Sequence, residues 1–146
     1  MLGVISAGHN APFFMTRFRE SIKHYVTMFD SIDDAMLSDV PERALIEREI
    51  YGREILNIVA CEGQERVERA TPYTQWQSLT EKVGFTPMPL KPKIVSRIKH
   101  SLATRPKGYG VAEDGAWILM GWKNHVVQCV SAWEPSPQWS FLTYKK

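Results

Sequence analysis

Histidines and cysteines are the side chains of this sequence whose chemistry would be easiest to recognise from spacing. There are six of them: His9, His24, His100, His125, Cys61 and Cys129. Only His125 and Cys129 are spaced to place two metal ligands on one face of a strand, and two ligands do not make a metal site. The cysteines form no C-x-x-C motif, which excludes a disulfide framework and a four-cysteine zinc site. No metal centre is predicted.

The second group of chemically active side chains is a charge repeat that follows an apolar helical run between Tyr51 and Arg69. In three pairs the acid precedes the base by four residues, the favourable order on a helix: Glu49 with Arg53, Glu62 with Arg66, and Glu65 with Arg69. Arginines interleaved in this way lower a carboxylate pKa, whereas a general acid needs a raised one. The chain also lacks the G-x-G-x-x-G, G-x-x-x-x-G-K and G-x-S-x-G motifs. The sequence therefore predicts neither an enzyme nor a cofactor.

Length and composition predict one globular domain. The chain has 146 residues, of which 44% are hydrophobic and 11% aromatic, enough to fill a core. No apolar stretch approaches the roughly 20 residues that a transmembrane helix needs. The N-terminus also lacks the basic start and long apolar run of a signal peptide. An intracellular protein without membrane contact is expected.

Four helices are expected to position the polar side chains. Their predicted starts are a cap at Asn10, a capping box of Asp39 with Glu42, a cap at Thr71, and Pro92. The second helix is expected to run through Ala60, and the third to end at Gly84. An apolar stripe at helical spacing predicts the buried face of the first helix: Phe14, Phe18, Ile22, Tyr25, Phe29 and Ile32.

Strands are expected mainly at the C-terminal end, where the pattern changes from helical to alternating. Asp114 and Gly115 supply the two-residue turn that type I′ hairpins prefer, with further strands over residues 117–120 and 126–133. Residues 85–90 contain two prolines and can form only an edge strand or a loop.

The sequence also indicates the character of the two chain ends and of the tryptophans. Residues 1–9 look like a poor start for a domain, and residues 136–146 look like a tail. The aromatic side chains are expected to fill the joint between the C-terminal strands and the helices: Trp76, Trp117, Trp122 and Trp133.

Charge is distributed unevenly along the chain. Residues 91–107 carry six basic side chains and no acid, so this segment is +6 within a chain of net charge +2, and the rest sums to −4. Its basic residues are candidate nucleic-acid contacts: Lys91, Lys93, Arg97, Lys99, Arg105 and Lys107. The surface is expected to be polarised, with an acidic segment at residues 30–49.

The order of several motifs resembles the C-terminal part of the GRAS family, the scarecrow-like regulators of plant transcription. The segments NAPFFMTRFRESIKHYVTMFDSID and ERALIEREIYGREILNIVACEGQERVER resemble the family's PFYRE region, over about residues 10–60, and lead into its SAW region, over about residues 62–134. The family-motif positions are Pro12, Phe13, Phe14, Arg53, Glu54, Glu62, Arg66, Glu68, Arg69, Trp76, Gly84, Leu119, Trp122, Ser131, Ala132 and Trp133. The resemblance covers residues 1–135 as the C-terminal portion of a GRAS domain.

This resemblance implies an α/β fold: part of a Rossmann-like domain similar to class I methyltransferases, with helices followed by an antiparallel β-meander. It implies a nuclear, non-enzymatic transcriptional regulator that acts through contacts with other transcription regulators, GRAS proteins among them. The strands are expected to form one margin of a larger parallel sheet. A polar network is expected to fix the long helix against these strands: Arg53, Glu54, Glu62, Arg66 and Arg69.

Two alternatives to regulation through protein contacts stay open at this point. One is direct DNA binding through residues 91–107, although the segment contains no known base-reading module. The other is a truncated fragment without function, in which the motifs serve only packing.

Overall fold

Helices fill the first two thirds of the chain, and antiparallel strands fill most of the last third. The computed structural model describes residues 1–5, 7–105 and 107–137. The strands are β1 (Leu2–Ile5), β2 (Phe85–Pro87), β3 (Tyr109–Asp114), β4 (Trp117–Trp122), β5 (His125–Ser131) and β6 (Trp133–Pro135). The α-helices are α1 (Phe14–Ala35), α2 (Pro41–Leu45), α3 (Arg53–Val59), α4 (Tyr73–Lys82) and α5 (Pro92–Ala103).

The main sheet has four strands in the order β1-β5-β4-β3, and each neighbouring pair is antiparallel. Strands β3, β4 and β5 form the predicted antiparallel meander, and the place of these strands at the margin of a larger parallel sheet stays a prediction. The expectation that residues 1–9 make a poor start is wrong, because β1 pairs with β5 and places Val4 opposite Cys129. A four-residue strand gives too short an alternation to stand out in a sequence.

The two turns of the meander differ from the predicted turn. Asp114 pairs with Trp117, so Gly115 and Ala116 form the first connection, and Gly115 alone has a positive φ, as in a type II′ turn. The type I′ signature, positive φ at both central residues, lies instead at Lys123 (φ 44) and Asn124 (φ 66). The predicted type I′ turn at Asp114-Gly115 is therefore wrong.

The two faces of the sheet are covered by different helices. Trp117 and Trp122 lie five residues apart in β4 and so point to opposite faces. Trp117 packs with Cys129 and Val4, and its indole Nε1 donates to Gln77 of α4 at 3.1 Å. Trp122 donates through its indole N–H to Asp30 of α1. The joint between strands and helices is thus built on these two tryptophans.

Helix α1 differs from its prediction at both its start and its face. Phe13 is the N-cap residue and makes no side-chain capping bond, so neither Asn10 nor Pro12 starts the helix. The buried residues are largely polar: Arg17, Ser21, His24, Tyr25, Ser31 and Ile32. Only Tyr25 and Ile32 of the predicted apolar stripe are fully buried, whereas Phe14 and Ile22 are exposed. Helix α1 therefore carries an apolar face that the described residues leave uncovered.

The second predicted helix is helical over Pro41–Val59 but contains a π-helical segment, Ile46–Gly52, between α2 and α3. Its N-cap is Val40 without a side-chain bond, so the capping box of Asp39 and Glu42 is wrong. The helix ends before the charge repeat does, and Gly63 follows with a φ of +55. Of the three predicted i,i+4 pairs, only Glu49 with Arg53 forms on a helix, at 2.9 Å.

The remaining elements follow their sequence signals, apart from the cap of α4. Pro92 opens α5 as predicted, and among the described strands β2 pairs only with β6, as a proline-limited edge strand should. Helix α4 begins at Tyr73, and Thr71 does not cap it, since Pro72 holds the N-cap position. Residues 138–146 of the predicted tail lie outside the described residues.

Candidate functional site

Several motif side chains meet where α1, the segment after α3 and the loop after β1 come together. The Tyr25 hydroxyl donates to Glu54 at 2.9 Å, and Arg17 forms an ion pair with Glu62. Arg66 donates from Nη1 to the His9 carbonyl at 2.9 Å. The predicted network therefore exists in part, but it fixes α3 and the segment after it to α1 and the β1–α1 loop, not to the strands.

The other members of the predicted network lie at the surface. Arg53 is paired with Glu49, and Arg69 donates from Nη2 to the Gly63 carbonyl at 2.6 Å. The backbone of Glu68 exchanges two hydrogen bonds with the Asn57 side chain, at 2.7 and 3.3 Å. These contacts hold the irregular segment 62–71 against α3.

The motif residues at the C-terminal end make contacts with other parts of the described chain. Gly84 ends α4 with a φ of 88, a conformation that favours glycine. The Trp133 indole donates to the Ser131 hydroxyl at 2.7 Å, and the Ala132 carbonyl accepts from the Met88 backbone at 2.8 Å. Leu119 packs beside the core cluster. The prediction that the tryptophans fill the joint is confirmed for Trp117 and Trp122, whereas Trp133 is half-buried and Trp76 is exposed.

A cluster of buried rings was missed by sequence reasoning. The imidazoles of His9 and His24 meet edge to face with centroids 5.2 Å apart, and His125 lies 6.2 Å from His24. Tyr25 stacks on His9 at 5.6 Å. His9 comes from the β1–α1 loop, His24 from α1 and His125 from β5. No local spacing relates these positions, so their proximity becomes visible only in the fold.

Acid is expected to destabilise the fold through this cluster. Burial, then the neighbouring His9 and His125, lowers the pKa of His24 from 6.5 to about 4. Between those values the unfolded chain binds a proton that the folded chain does not, so stability falls as pH falls through this window. The loss for His24 is up to about 1.4 kcal/mol per pH unit. Burial lowers the pKa of His9 and of His125 as well, in the same direction.

Urea unfolding at pH 7, 6 and 5 measures this slope. Glu20 and Lys23 are the charged groups that act on the cluster from α1. His24→Gln should reduce the dependence on pH, whereas His100→Gln, exposed on α5, should leave it unchanged. An unfolding free energy that is constant between pH 7 and pH 5 would show that the buried imidazoles do not control acid stability.

Neither a metal-ligand cluster nor a membrane-spanning helix is found among the described residues. Among residues 1–5, 7–105 and 107–137, no group of three or more histidine, cysteine, aspartate or glutamate side chains is arranged to hold a metal ion. Within the same ranges no helix combines the length and apolar character needed to cross a membrane. Two exposed surfaces of the described residues are the candidate functional sites.

Of the basic residues of segment 91–107, Lys91 holds the N-cap position of α5, three lie on α5, and Arg105 and Lys107 follow it. Lys99 is paired with Glu113 of β3 at 2.8 Å, which neutralises one of its charges. The other basic side chains are exposed and make no ion pair within the described part of the chain: Lys91, Lys93, Arg97, Arg105 and Lys107. The segment thus presents a cationic surface.

The second candidate surface is the outer face of α1. Phe13 and Val26 are 75% and 61% exposed, and Phe14, Met15 and Ile22 are also exposed. Met15, Ile22 and Val26 recur at helical spacing, so they form one stripe along the helix. Apolar side chains grouped in this way typically mark a contact with another protein surface.

Helices packed on both faces of the sheet define this chain as part of an α/β domain, and a solved structure shows which kind. The crystal structure of SCL7 in Oryza sativa superposes with a TM-score of 0.85 at 34% sequence identity, over 91% of this chain and 38% of that one. SCL7 has a Rossmann-like fold, so the predicted fold class is confirmed.

The chain belongs to the GRAS domain family, whose members are plant transcriptional regulators; the family matches residues 2–134. It is 44% identical over 135 residues to Scarecrow-like protein 33 and 42% identical over 134 residues to Scarecrow-like protein 14, both of Arabidopsis thaliana. Each alignment covers 91% of this chain but only 20% and 17% of those proteins. The chain thus spans about a fifth of the length of the curated relatives it matches.

Proposed function

We propose that this chain is a non-enzymatic transcriptional regulator that acts in the nucleus by binding other transcription regulators, GRAS proteins among them. Membership of the GRAS family supports regulation of transcription. The uncovered apolar stripe on α1 carries the proposal for protein contacts, because burying it against a partner gains roughly 25 cal/mol per Å² of apolar surface.

The geometry of α1 fits a helix held between two layers. Its inner side is fixed to the rest of the chain by polar contacts, through Tyr25 to Glu54 and through Arg17 to Glu62. Its outer side presents Met15, Ile22 and Val26 without such contacts. A partner that supplies an apolar groove would bury the outer side without disturbing the inner one.

Binding of the purified chain to full-length SCL7 and to Scarecrow-like protein 33 tests this proposal by isothermal titration calorimetry. We expect Val26→Glu to weaken binding at least about 10-fold, because a carboxylate must then be desolvated in the interface. Val83→Glu is the matched control, since Val83 is 66% exposed beyond the end of α4 and away from the stripe.

Two binding results would contradict the proposal. Equal weakening by both substitutions would show that the stripe on α1 is not the interface. If the chain bound neither SCL7 nor Scarecrow-like protein 33, GRAS proteins would be rejected as the partner class. A fluorescent fusion expressed in plant cells tests the location, and exclusion from the nucleus would contradict that part of the proposal.

Direct DNA binding is the second candidate, favoured by the exposed cations of segment 91–107. If they neutralise phosphates, the logarithm of affinity should fall with the logarithm of salt concentration by about 0.9 per phosphate contacted. Lys93→Gln with Arg97→Gln should reduce that slope, whereas Arg48→Gln, exposed on the π-helical segment, should not. An affinity that does not depend on salt would exclude this segment as a DNA contact.

A further inference from the structure

Two arginine side chains are almost completely buried beside the β1–α1 loop. Arg17 of α1 is 2% exposed, and Arg66, which follows the 3-10 turn at Gly63–Glu65, is 5% exposed. Arg17 donates from Nη1 to the carbonyls of Ala11 and Pro12 at 3.3 and 3.1 Å, and Arg66 donates to that of His9. Both guanidiniums thus hold one loop, and both are removed from water.

The charge of this pair is only partly balanced. Glu62 binds Arg17, and its side chain is 65% exposed, so it contributes a solvated carboxylate at the edge of the site. Burial, and then the charges of Arg17 and Arg69, lowers the pKa of Arg66, while Glu62 acts in the opposite direction. Arg17 pairs with this exposed carboxylate, whereas Arg66 makes no ion pair within the described part of the chain. Buried charge without a counter-charge is costly, and a bound anion would remove that cost.

Hydrogen-bonding capacity remains on both side chains. Among the described residues, the Nε atom of Arg17 and that of Arg66 are buried and have no hydrogen-bond partner. An arginine binds a phosphate or carboxylate most strongly through two parallel N–H groups, and Nε with one Nη forms such a pair. We propose that Arg17 and Arg66 form a binding site for a phosphate group, which enters by displacing the exposed carboxylate of Glu62.

Two kinds of molecule carry a phosphate group that these guanidiniums would bind in the same way. Free inorganic phosphate and a phosphorylated serine or threonine side chain of a partner both present charged oxygens to the guanidiniums. Glu62 marks the entry, because it is the exposed member of the site and already places a carboxylate oxygen on Arg17. This site does not depend on the apolar stripe of α1.

The test measures the urea unfolding midpoint of the full chain against inorganic phosphate, with chloride at equal ionic strength as the reference. Phosphate is expected to raise the midpoint in a saturable way, because a ligand of the folded state stabilises it. Glu62→Gln removes the competing carboxylate and should tighten phosphate binding about 3- to 10-fold. Glu49→Gln is the matched control, since Glu49 also pairs with arginines, and should leave the phosphate affinity unchanged.

A peptide with one phosphoserine, compared with its unphosphorylated twin, distinguishes the sources. If phosphate and the phosphopeptide stabilise the chain but the unphosphorylated peptide does not, the site is assigned to a phosphorylated partner. If phosphate stabilises the chain and neither peptide does, the site is assigned to the free ion. Arg66→Met should abolish both effects if the variant folds. If Arg66→Met does not fold, the phosphate affinity of Glu62→Gln provides the test. Equal midpoints in phosphate and chloride for the parent and for Glu62→Gln would overturn the proposal and leave the arginines as clamps of the loop.

Discussion

Replacing Trp122 with alanine is expected to lower the free energy of unfolding by about 3–5 kcal/mol. The Trp122 side chain is 2% exposed, donates its indole N–H to Asp30 of α1, and packs edge to face on Tyr109 at a centroid distance of 4.8 Å. The substitution would remove this ring from between the sheet and α1. Urea unfolding followed by circular dichroism measures the loss.

Two further variants separate the contributions of the Trp122 ring. Trp122→Phe keeps an aromatic ring but not the indole donor, so it should cost less than alanine. Trp76→Ala is the comparison at an exposed tryptophan of α4, and its cost should be well below that of Trp122→Ala. Equal costs for Trp76→Ala and Trp122→Ala would show that Trp122 is not part of the core.

Gly121→Ala is the second substitution expected to have a large effect, about 1–3 kcal/mol of lost stability. A Cβ added at Gly121 would lie 2.4 Å from the carbonyl oxygen of His125, a backbone atom that cannot move without shifting the turn. The site lies at the register shift between Met120 and Gly121, where β4 and β5 form a bulge. The lost free energy can be read from the shift of the urea midpoint.

Gly110→Ala is a closely matched control, because Gly110 lies directly opposite Gly121 in the β3–β4 pair. A Cβ added there meets nothing within 4 Å. This substitution should leave stability nearly unchanged or raise it by up to about 1 kcal/mol through the unfolded state. If the two alanine variants unfold at the same urea concentration, the contact with the turn does not constrain Gly121.

Local signals predicted the elements whose determinants lie within one short stretch of sequence. Pro92 opens α5 because its fixed φ and missing N–H suit the first turn of a helix. Alternation predicted β3, β4 and β5, although the hairpin turn was misplaced because Asp114 joins the ladder with Trp117. The prolines of residues 85–90 predicted an edge strand or a loop, and Phe85–Pro87 forms an edge strand.

Contacts between distant residues set the features that sequence reasoning missed. Strand β1 exists because β5, more than 120 residues further on, pairs with it. Arg17 is buried on α1 because Glu62, 45 residues away, and the carbonyls of residues 11 and 12 accept hydrogen bonds from its Nη atoms. An apolar pattern cannot predict such a face, since it assigns a buried helix side to hydrophobic residues alone.

The family resemblance predicted the family and the fold class, which hydrophobic periodicity alone could not. The order of motifs identified a GRAS domain and a Rossmann-like fold, and both are confirmed by the family match and by the SCL7 structure. The roles of the motif residues, the nuclear location and the partners stay predictions. The structure adds the contacts by which those roles can be tested, above all the uncovered stripe of α1.

The interface on α1 is tested most directly by urea unfolding of the isolated chain, with and without a saturating GRAS partner, followed by tryptophan fluorescence and near-UV circular dichroism. The chain alone is expected to unfold in one cooperative transition, coincident by both probes. The partner at 100 times its dissociation constant should add about 2.7 kcal/mol for the parent and clearly less for Val26→Glu. A partner that stabilises both proteins equally, or neither, would contradict an interface on α1.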